Sequence, residues 1–366
     1  MTISPAARLE AQRFFQAFEA AGAVPFTADI LQPAETLLDL YGEDIRGRAY
    51  VTWDPLEGEM MLRPDFTVPV VQMHMAHGAE PARYCYMGEV FRRQDVAGAR
   101  AREYLQVGYE VFARTDPAQN EAEVFALFDD LLAPLRLRAT MGDIGLLVAA
   151  VQGLGTSERR KAALMRHIWR PRRFRALIDR YSGATPTPAP RMRMLERLAS
   201  GSAVGLMAAA GPYVGLRQPE EIAARAQGLL EDAAAPMLAR REAELLDELL
   251  FLSAPAPQAL ERLLDLAVDM PSIRTAVDRL ELRIEALEAA GIEVASLDFE
   301  ASHGRTSMEY YDGFVFSFHS DRPGMPPVAQ GGRYDALTRV LGQGKSIPAV
   351  GGIIRPGIVS MLKEGR

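Results

Sequence analysis

The spacing of hydrophobic positions changes along the chain and predicts a succession of elements. Residues 8–21 carry apolar side chains three to four positions apart, which predicts an amphipathic helix. Aromatic and β-branched residues then dominate short segments, which predicts strands over 48–53, 59–64, 83–93 and 103–113. A polar loop containing Gly98 joins the last two strands as in a β-hairpin, and a second helix is predicted at 118–133, after an Asp-Pro turn.

The middle of the chain has a helical composition. From about residue 145 to residue 290 it is rich in Ala, Leu, Arg and Glu, with almost no strand signal. Two Pro/Ala-rich stretches, 184–190 and 253–258, interrupt it, and we expect them to be short stiff linkers. Strand signals return at 294–301, 310–319 and 346–354. The pattern therefore predicts an α+β fold, in which one mixed sheet is completed from both ends of the chain around a helical insertion.

Composition narrows the classes of function. The net charge of −7 and the pI of about 5.5 disfavour a protein that binds nucleic acid through its phosphates. The single cysteine, Cys85, excludes an internal disulfide and indicates a reducing compartment. Without a signal-peptide pattern or a long apolar stretch, we expect a cytoplasmic protein with no membrane attachment. Of the five histidines, His74 and His77 have helical spacing but no evident third ligand, so we expect neither a metal nor a cofactor.

One predicted strand, EYLQVGYEV (103–111), carries a polar row. Alternation places Gln106, Gly108 and Glu110 on one face and apolar residues on the other. This pattern indicates a sheet face toward a polar cavity, where Gly108 leaves room for something to lie flat on the backbone. On the preceding strand, Arg92 is expected to supply a cation beside Glu110. The alternative is a solvent-facing strand with an incidental salt bridge.

Other polar signals each allow more than one interpretation. Asp65 and Thr67 either receive a ligand ammonium group or cap a helix, and the cap is favoured. Adjacent Tyr310 and Tyr311 are expected to point to opposite faces of a strand. The run 159–175, with eight Arg and Lys residues, is either a docking surface for an acidic partner or RNA or, as we favour, a solvated helix face. No Ser-His-Asp, Cys-His or paired-carboxylate motif supports a hydrolase or a glycosidase.

Several segments, taken in order, resemble the catalytic core of class II histidyl-tRNA synthetases. They are ILQPAETLLDL (30–40), LRPDFT (62–67), GEVFRRQ with EYLQVGYEVF (88–112), EYYDGFVF (309–316) and GGRYDALTRVLGQGKSIPAVGGI (331–353). The resemblance covers about residues 5–145 and 290–362, and implies an antiparallel sheet flanked by helices that dimerises through the first motif, around Pro33. It divides the chain into a first core part, a helical insertion and a completing core part, at 1–145, 146–290 and 291–366.

The resemblance also assigns roles to single positions. Those that match the residues holding the ammonium group of histidine are Asp65, Thr67 and Gln106. Those that match the residues holding the imidazole ring are Glu110 and Tyr311. Arg92 matches the arginine near the ligand carboxylate, and Tyr334 lines the same pocket.

The matching positions lack the groups that act on ATP. The arginine that neutralises charge during adenylation is replaced by Thr306, unless the neighbouring Arg305 takes its place. The second-motif glutamate is Gln94, and a histidine past the loop is Leu105. The third-motif Glu-Arg pair falls on Gly-Ile at 357–358, and we expect no anticodon-binding domain. The loss of fixed cations at a phosphoryl site costs about 10³-fold or more in related chemistry.

A synthetase core that keeps its amino-acid pocket without its ATP groups is similar to the regulatory subunits of ATP phosphoribosyltransferase. That resemblance implies no catalytic residues, no cofactor, no tRNA, and L-histidine as the ligand. It implies a hetero-octamer with a short catalytic subunit, four chains of each, in which histidine inhibits the first step of histidine biosynthesis. Two alternatives are a truncated synthetase-like enzyme that forms histidyl-adenylate, and a module that senses histidine for another partner.

Overall fold

The chain folds into a large sheet, a small sheet and the helices around them. The computed structural model describes residues 3–41, 43–94, 101–211, 215–305 and 310–365. The helices are α1 (Pro5–Ala20), α2 (Ala34–Tyr41), α3 (Thr67–His77), α4 (Pro117–Leu132), α5 (Ile144–Gly153), α6 (Glu158–Arg166), α7 (Pro171–Tyr181), α8 (Ala189–Ser200), α9 (Ala203–Ala209), α10 (Pro219–Ala234), α11 (Arg240–Leu250), α12 (Ala256–Asp269), α13 (Arg274–Ala289), α14 (Asp335–Leu341) and α15 (Pro356–Lys363). The strands are β1 (Val24–Pro25), β2 (Leu31–Pro33), β3 (Val51–Asp54), β4 (Gly58–Leu62), β5 (Ala82–Phe91), β6 (Glu103–Phe112), β7 (Arg138–Asp143), β8 (Ser253–Pro255), β9 (Asp298–Glu300), β10 (Phe314–His319), β11 (Ala329–Arg333) and β12 (Ala349–Ile354).

The larger sheet joins strands from both ends of the sequence. Within the described ranges its order is β1-β5-β6-β12-β11-β10-β7-β9-β8, and the smaller sheet has the order β2-β4-β3. Neighbours are antiparallel from β5 through to β7, whereas β1 runs parallel to β5 and β9 runs parallel to β7. Because β12 lies between β6 and β11, the centre of the sheet needs the end of the chain. The predicted α+β class with a mixed sheet is confirmed.

The two faces of this sheet differ in chemistry. On one face, the ring of Tyr109 lies 5.3 Å from that of Phe18 in α1. On the same side, Phe316 lies 5.6 Å from Phe128 in α4, and all these rings are fully buried. Because side chains alternate along a strand, the residues on either side of Tyr109 point to the opposite, polar face.

The segment from α5 to α13 is helical, as predicted, with one exception. The stretch 253–258 is not a linker, because its first residues form β8 and pair with β9, which satisfies their backbone hydrogen bonds within the sheet. Residues 184–188 are exposed and connect α7 to α8, as expected of a linker, whereas residues 189 and 190 already belong to α8. Buried residues of the helical segment belong to the same hydrophobic core as the sheet. The division of the chain at residues 145 and 290 stays a prediction.

A buried ion network ties the end of the helical segment to the sheet. Arg283 of α13 is 2% exposed and donates to Glu121 of α4 and to Asp143 of β7. Arg333 of β11 donates to the other oxygen of Glu121. Burial by itself raises the pKa of Glu121, but the two arginines hold it below its ordinary value. Each buried charge therefore has an opposite charge beside it, as burial requires.

The basic run 159–175 separates into internal and exposed charges. Arg160 is buried, and its Nε lies 2.9 Å from Asp232 Oδ1. The arginines of this run that surround the turn between α6 and α7 are exposed, namely Arg166, Arg170, Arg172 and Arg173. The solvated-face interpretation therefore describes these residues, whereas Arg160 is an internal anchor.

The paired histidines occupy different environments. His74 is buried against Phe112, with ring centres 4.1 Å apart, and its Nδ1 lies 3.1 Å from the hydroxyl of Tyr84. His77 is exposed. In the part of the chain that the structure describes, no three His, Cys, Asp or Glu residues are grouped so as to hold a metal ion. Across the same residues, no helix is both long and apolar enough to cross a bilayer.

Candidate functional site

The polar row on β6 is buried. Gln106 is 2% exposed and Glu110 is 1% exposed, so the solvent-facing alternative is wrong. Their shared face was predicted correctly, because the apolar residue between them, Tyr109, packs on the opposite side against α1. Burying an amide and a carboxyl group costs free energy unless partners compensate. The surroundings of each group therefore indicate what the site can bind.

Glu110 is surrounded by hydroxyl groups. Tyr86 donates to its Oε1 at 2.8 Å, and Tyr334 donates to its Oε2 at 2.6 Å. Thr67 Oγ1 lies 3.4 Å from the same Oε1. Burial raises the pKa of Glu110 to about 7, while the hydrogen bonds from Tyr334, Tyr86 and Thr67 oppose that rise and the charge of Asp65 adds to it. The group therefore changes protonation near neutrality, where it can pair with a ring N–H or an imidazolium.

Glycines on the neighbouring strands make room for this arrangement. A Cβ at Gly351 would lie 1.5 Å from Glu110 Oε2, so no other residue fits beside the carboxyl group. A Cβ at Gly108 would lie 2.1 Å from Cζ of Tyr86. The space above Gly108 is therefore filled by Tyr86 and not by a ligand, which corrects the sequence interpretation. Tyr86 was missed, although it is the direct cross-strand neighbour of Gly108 in the predicted hairpin.

The paired tyrosines lie side by side. The rings of Tyr310 and Tyr311 are 4.5 Å apart, their hydroxyls are 3.4 Å apart, and each ring lies 6.2 Å from that of Tyr334. The prediction that they point to opposite faces is wrong, because β10 begins only at Phe314 and strand alternation does not apply before it. The charge of Glu110 contributes to raising the pKa of both hydroxyls, after burial, which places both near that carboxyl group.

The other end of the row contains acceptors without donors. Asp65 is 7% exposed, and among the described residues its Oδ1 and the Oε1 of Gln106 have no hydrogen-bond partner. Burial raises the pKa of Asp65, opposed by Arg92 and by the backbone N–H groups of Val68 and Thr67. Asp65 therefore interacts with the first turn of α3 and still keeps one oxygen without a partner. The N-cap of α3 is Phe66, so neither Asp65 nor Thr67 occupies the cap position that was favoured. Unpartnered buried acceptors are rare and call for a donor such as an ammonium group.

Arg92 lies at this second end of the row. Its Nε donates to Pro64 O at 3.1 Å, and its Nη2 is 3.8 Å from Asp65 Oδ2. The residue directly opposite Glu110 on β5 is Tyr84, whereas Arg92 lies beyond the end of that strand. The expectation that Arg92 stands beside Glu110 is therefore wrong, because the hairpin register separates them. Its cation is instead next to Asp65.

Two of the positions that match ATP-binding groups are occupied by apolar residues. Leu105 is buried and shares the apolar face of β6, and Ile358 packs against the hydrophobic core. The amide of Gln94 donates to the carbonyl of Arg92. Thr306 lies outside the described residues.

Arg305 does not take the place of the missing arginine. Its Nε donates to Ile168 O at 2.9 Å, and its guanidinium lies 4.9 Å from the ring centre of Phe174. Arg305 is therefore directed at the turn before α7 and at α7 itself, away from the polar row.

Comparison with known proteins identifies the family and the fold of this chain. The family model described as histidyl-tRNA synthetase matches residues 6–233 and 219–356. Among solved structures, one titled ATP phosphoribosyltransferase regulatory subunit/histidyl-tRNA synthetase, from Bacillus halodurans C, superposes with a TM-score of 0.69 at 20% identity, covering 98% of this chain and 79% of that one. The histidyl-tRNA synthetase of Nostoc sp. PCC 7120 gives a TM-score of 0.64 at 17% identity, covering 98% and 73%. These likenesses establish the class II synthetase fold.

Curated relatives show to which group within this family the chain belongs. The chain is 32% identical to the ATP phosphoribosyltransferase regulatory subunit of Rhizobium rhizogenes, over 88% of this chain and 89% of that one. It is 33% identical to that of Agrobacterium fabrum, over 88% of each chain. It is 31% identical to that of Mesorhizobium japonicum, over 92% of each chain. The chain therefore belongs to the histidyl-tRNA synthetase family and, within it, to the regulatory subunits of ATP phosphoribosyltransferase.

Proposed function

We propose that this chain activates a short catalytic subunit of ATP phosphoribosyltransferase and transmits its feedback inhibition by L-histidine. The observation that carries the proposal is a buried site whose groups complement histidine, in a chain where two positions matching ATP-binding groups, Leu105 and Ile358, are apolar. Glu110 lies between two tyrosine hydroxyls at one end, and Asp65 and Gln106 present unpartnered oxygens at the other. The curated relatives are named as regulatory subunits, which supports a regulatory role.

The site offers a complementary group to each part of histidine. Glu110 and Tyr311 pair with the imidazole ring, because a carboxyl group that titrates near 7 suits a ring that does the same. Asp65, Thr67 and Gln106 accept the ammonium group. Arg92, beside Asp65, binds the carboxylate, and Tyr334 holds Glu110 in place. Charge-assisted hydrogen bonds of this kind supply both affinity and orientation.

The same site is not expected to activate histidine. Adenylation develops negative charge at phosphorus, and fixed cations there contribute on the order of 10³-fold each in related chemistry. Ile358 and Leu105 supply neither charge nor a hydrogen bond at the matching positions. The chain therefore acts through a partner in the cytoplasm, with no cofactor of its own and no tRNA. Occupancy by histidine would bias the partner's conformation by about 1–3 kcal/mol, a typical allosteric coupling.

The small sheet supports self-association within the proposed hetero-octamer. The first motif, around Pro33, forms β2 of this sheet. Val51 and Trp53, which the strand register places on one face of this sheet, are 43% and 72% exposed, although both are large apolar side chains. Such a patch is typical of a surface that another chain covers. The exposed arginines around the turn between α6 and α7 are a candidate contact for an acidic region of the catalytic subunit.

The test mixes this chain with a short ATP phosphoribosyltransferase subunit and measures phosphoribosyl-ATP formation. We expect activity only with both chains present, and we expect added L-histidine to suppress it. Activity that this chain does not change contradicts the proposal. Histidine-dependent exchange of pyrophosphate into ATP by this chain alone would instead support the alternative, a histidyl-adenylate-forming enzyme.

A further inference from the structure

Arg355 extends the polar row onto a third strand. β12 pairs with β6 in the register Gly351↔Glu110 and Ile353↔Gly108. Arg355, directly after β12, keeps an extended backbone (φ −106°, ψ 92°), so side-chain alternation continues through it. Its side chain therefore belongs to the face that carries Glu110. The register brings it to the level of Gln106, at the end of the row proposed to bind the ammonium group (the ammonium end). Glu110 lies at the other end, which is proposed to bind the imidazole ring (the imidazole end).

The guanidinium of Arg355 contacts neutral groups and another cation. It donates to Pro327 O at 2.6 Å and also bonds the hydroxyl of Tyr104. Burial lowers the pKa of Arg355; Tyr104 opposes this, and the nearby positive charge of Arg92 adds to it. Tyr311, a residue of the imidazole end, lies close enough to interact with it electrostatically. No carboxylate among the described residues lies within ion-pair distance of Arg355.

Arg355 is repelled by the charge of Arg92 and has no carboxylate partner among the described residues, so an anion beside it would stabilise its charge. Arg92 already borders Asp65, where the ammonium group of an amino acid is proposed to bind. In an α-amino acid the carboxylate is attached to the same carbon as the ammonium group. A carboxylate bound between Arg92 and Arg355 would therefore be attached to the carbon that carries the ammonium group, on the side away from Glu110.

We propose that Arg355, together with Arg92, binds the α-carboxylate of the amino acid and selects ligands that carry one. This inference rests on the proposed histidine pocket and adds to it a residue that no matching motif assigns. The third-motif arginine is absent at Ile358, and a cation slightly earlier in the chain supplies a charge to the amino-acid end of the site. In this segment the related synthetase motif has an arginine that acts on ATP. Here the structure assigns the cation, Arg355, to recognition of the amino acid.

The test compares L-histidine with L-histidinol, which has a hydroxymethyl group in place of the carboxylate. Calorimetric titration of the wild-type chain should give an affinity for histidine at least about 10-fold higher than for histidinol. Arg355→Met and Arg355→Gln should weaken histidine binding by about 10-fold or more and leave histidinol binding unchanged. Gln keeps a donor for Pro327 O, so it guards against a packing effect. Arg138→Met, at a 58% exposed side chain on β7 of the same sheet, is the matched control and should keep the wild-type ratio.

Each outcome decides the assignment. If both Arg355 variants keep the wild-type ratio of affinities, the carboxylate assignment is overturned, while histidine binding and control of the catalytic subunit would still uphold the proposed function. If the variants lose binding of pyrophosphate or ATP but not of histidine, the anion is a phosphate and the assignment is overturned as well. A wild-type chain that binds no histidine overturns both. Retained histidinol binding in the variants, with lost histidine preference, supports the inference.

Discussion

Glu110 and Asp65 are both buried carboxyl groups in the same site, yet their hydrogen-bond partners differ. Glu110 receives hydroxyl donors from Tyr86 and Tyr334 at 2.8 and 2.6 Å. Asp65 has one oxygen without any hydrogen-bond partner among the described residues, as has the amide oxygen of Gln106. In the proposed histidine pocket, the end at Glu110 is therefore organised before a ligand arrives, whereas the end at Asp65 has open acceptors that the proposed ligand would satisfy.

The largest expected effect is the loss of the imidazole end. In Glu110→Ala, we expect the affinity for histidine to fall by about 100-fold or more, since a charge-assisted hydrogen bond to the ring is lost and two tyrosine hydroxyls lose their acceptor. Calorimetric titration and histidine inhibition of the assembled enzyme measure this, and circular dichroism should show a folded chain. An unchanged affinity would contradict the assignment of Glu110.

The second largest effect concerns how the free energy of unfolding depends on pH. The pKa of Glu110 is raised from 4.5 to about 7 in the folded protein, so the stability that its protonated form contributes is present below about pH 4.5 and is lost as pH rises through about 7. Relative to Glu110→Gln, which does not titrate, the free energy of unfolding of the wild type should fall by up to about 3 kcal/mol over that window. Urea denaturation at a series of pH values measures the difference. A constant difference would mean that the group is not held protonated by burial.

The third effect concerns Asp65 and distinguishes its role in histidine binding from its role in folding stability. Asp65→Asn should weaken histidine binding by about 10- to 30-fold, because the ammonium group loses a charged acceptor. Burial raises the pKa of Asp65, so ionising it costs the folded state free energy, and the variant should be as stable as the wild type or more stable at pH 8. Asp298→Asn, at a 40% exposed side chain on β9, is the control for both measurements. A clear loss of stability in Asp65→Asn would mean that its contact with the first turn of α3 is its main role.

The smallest effect is the removal of one donor from Glu110. Tyr334→Phe leaves Tyr86 in place and should lower histidine affinity by only about 5-fold, the size expected for one hydrogen bond. Because the hydroxyl of Tyr334 lowers the pKa of Glu110, its loss should move the pH dependence of binding upward. Tyr181→Phe, at a buried tyrosine of the helical segment, should change neither. If Tyr334→Phe binds like the wild type at every pH, the imidazole end does not depend on this hydroxyl.

Much of the site was predictable because it depends on local geometry. Alternation on one strand placed Gln106, Gly108 and Glu110 on a common face, and the structure confirms it. The same rule failed at Tyr310 and Tyr311, because the segment is not yet a strand there. It also could not place Arg92 relative to Glu110, since the register of the hairpin decides which residues are opposite each other.

The sequence by itself determined the fold class, the family and the identity of the polar row, because these follow from short-range periodicity and from the order of motifs. Only the tertiary structure decided which of those groups are saturated and which are left open. Tyr86 fills the space above Gly108, Tyr334 reaches Glu110 from a distant part of the chain, and Arg355 joins the row through β12. These contacts depend on strand pairing between opposite ends of the chain, and pairing of that range has no local signal in the sequence.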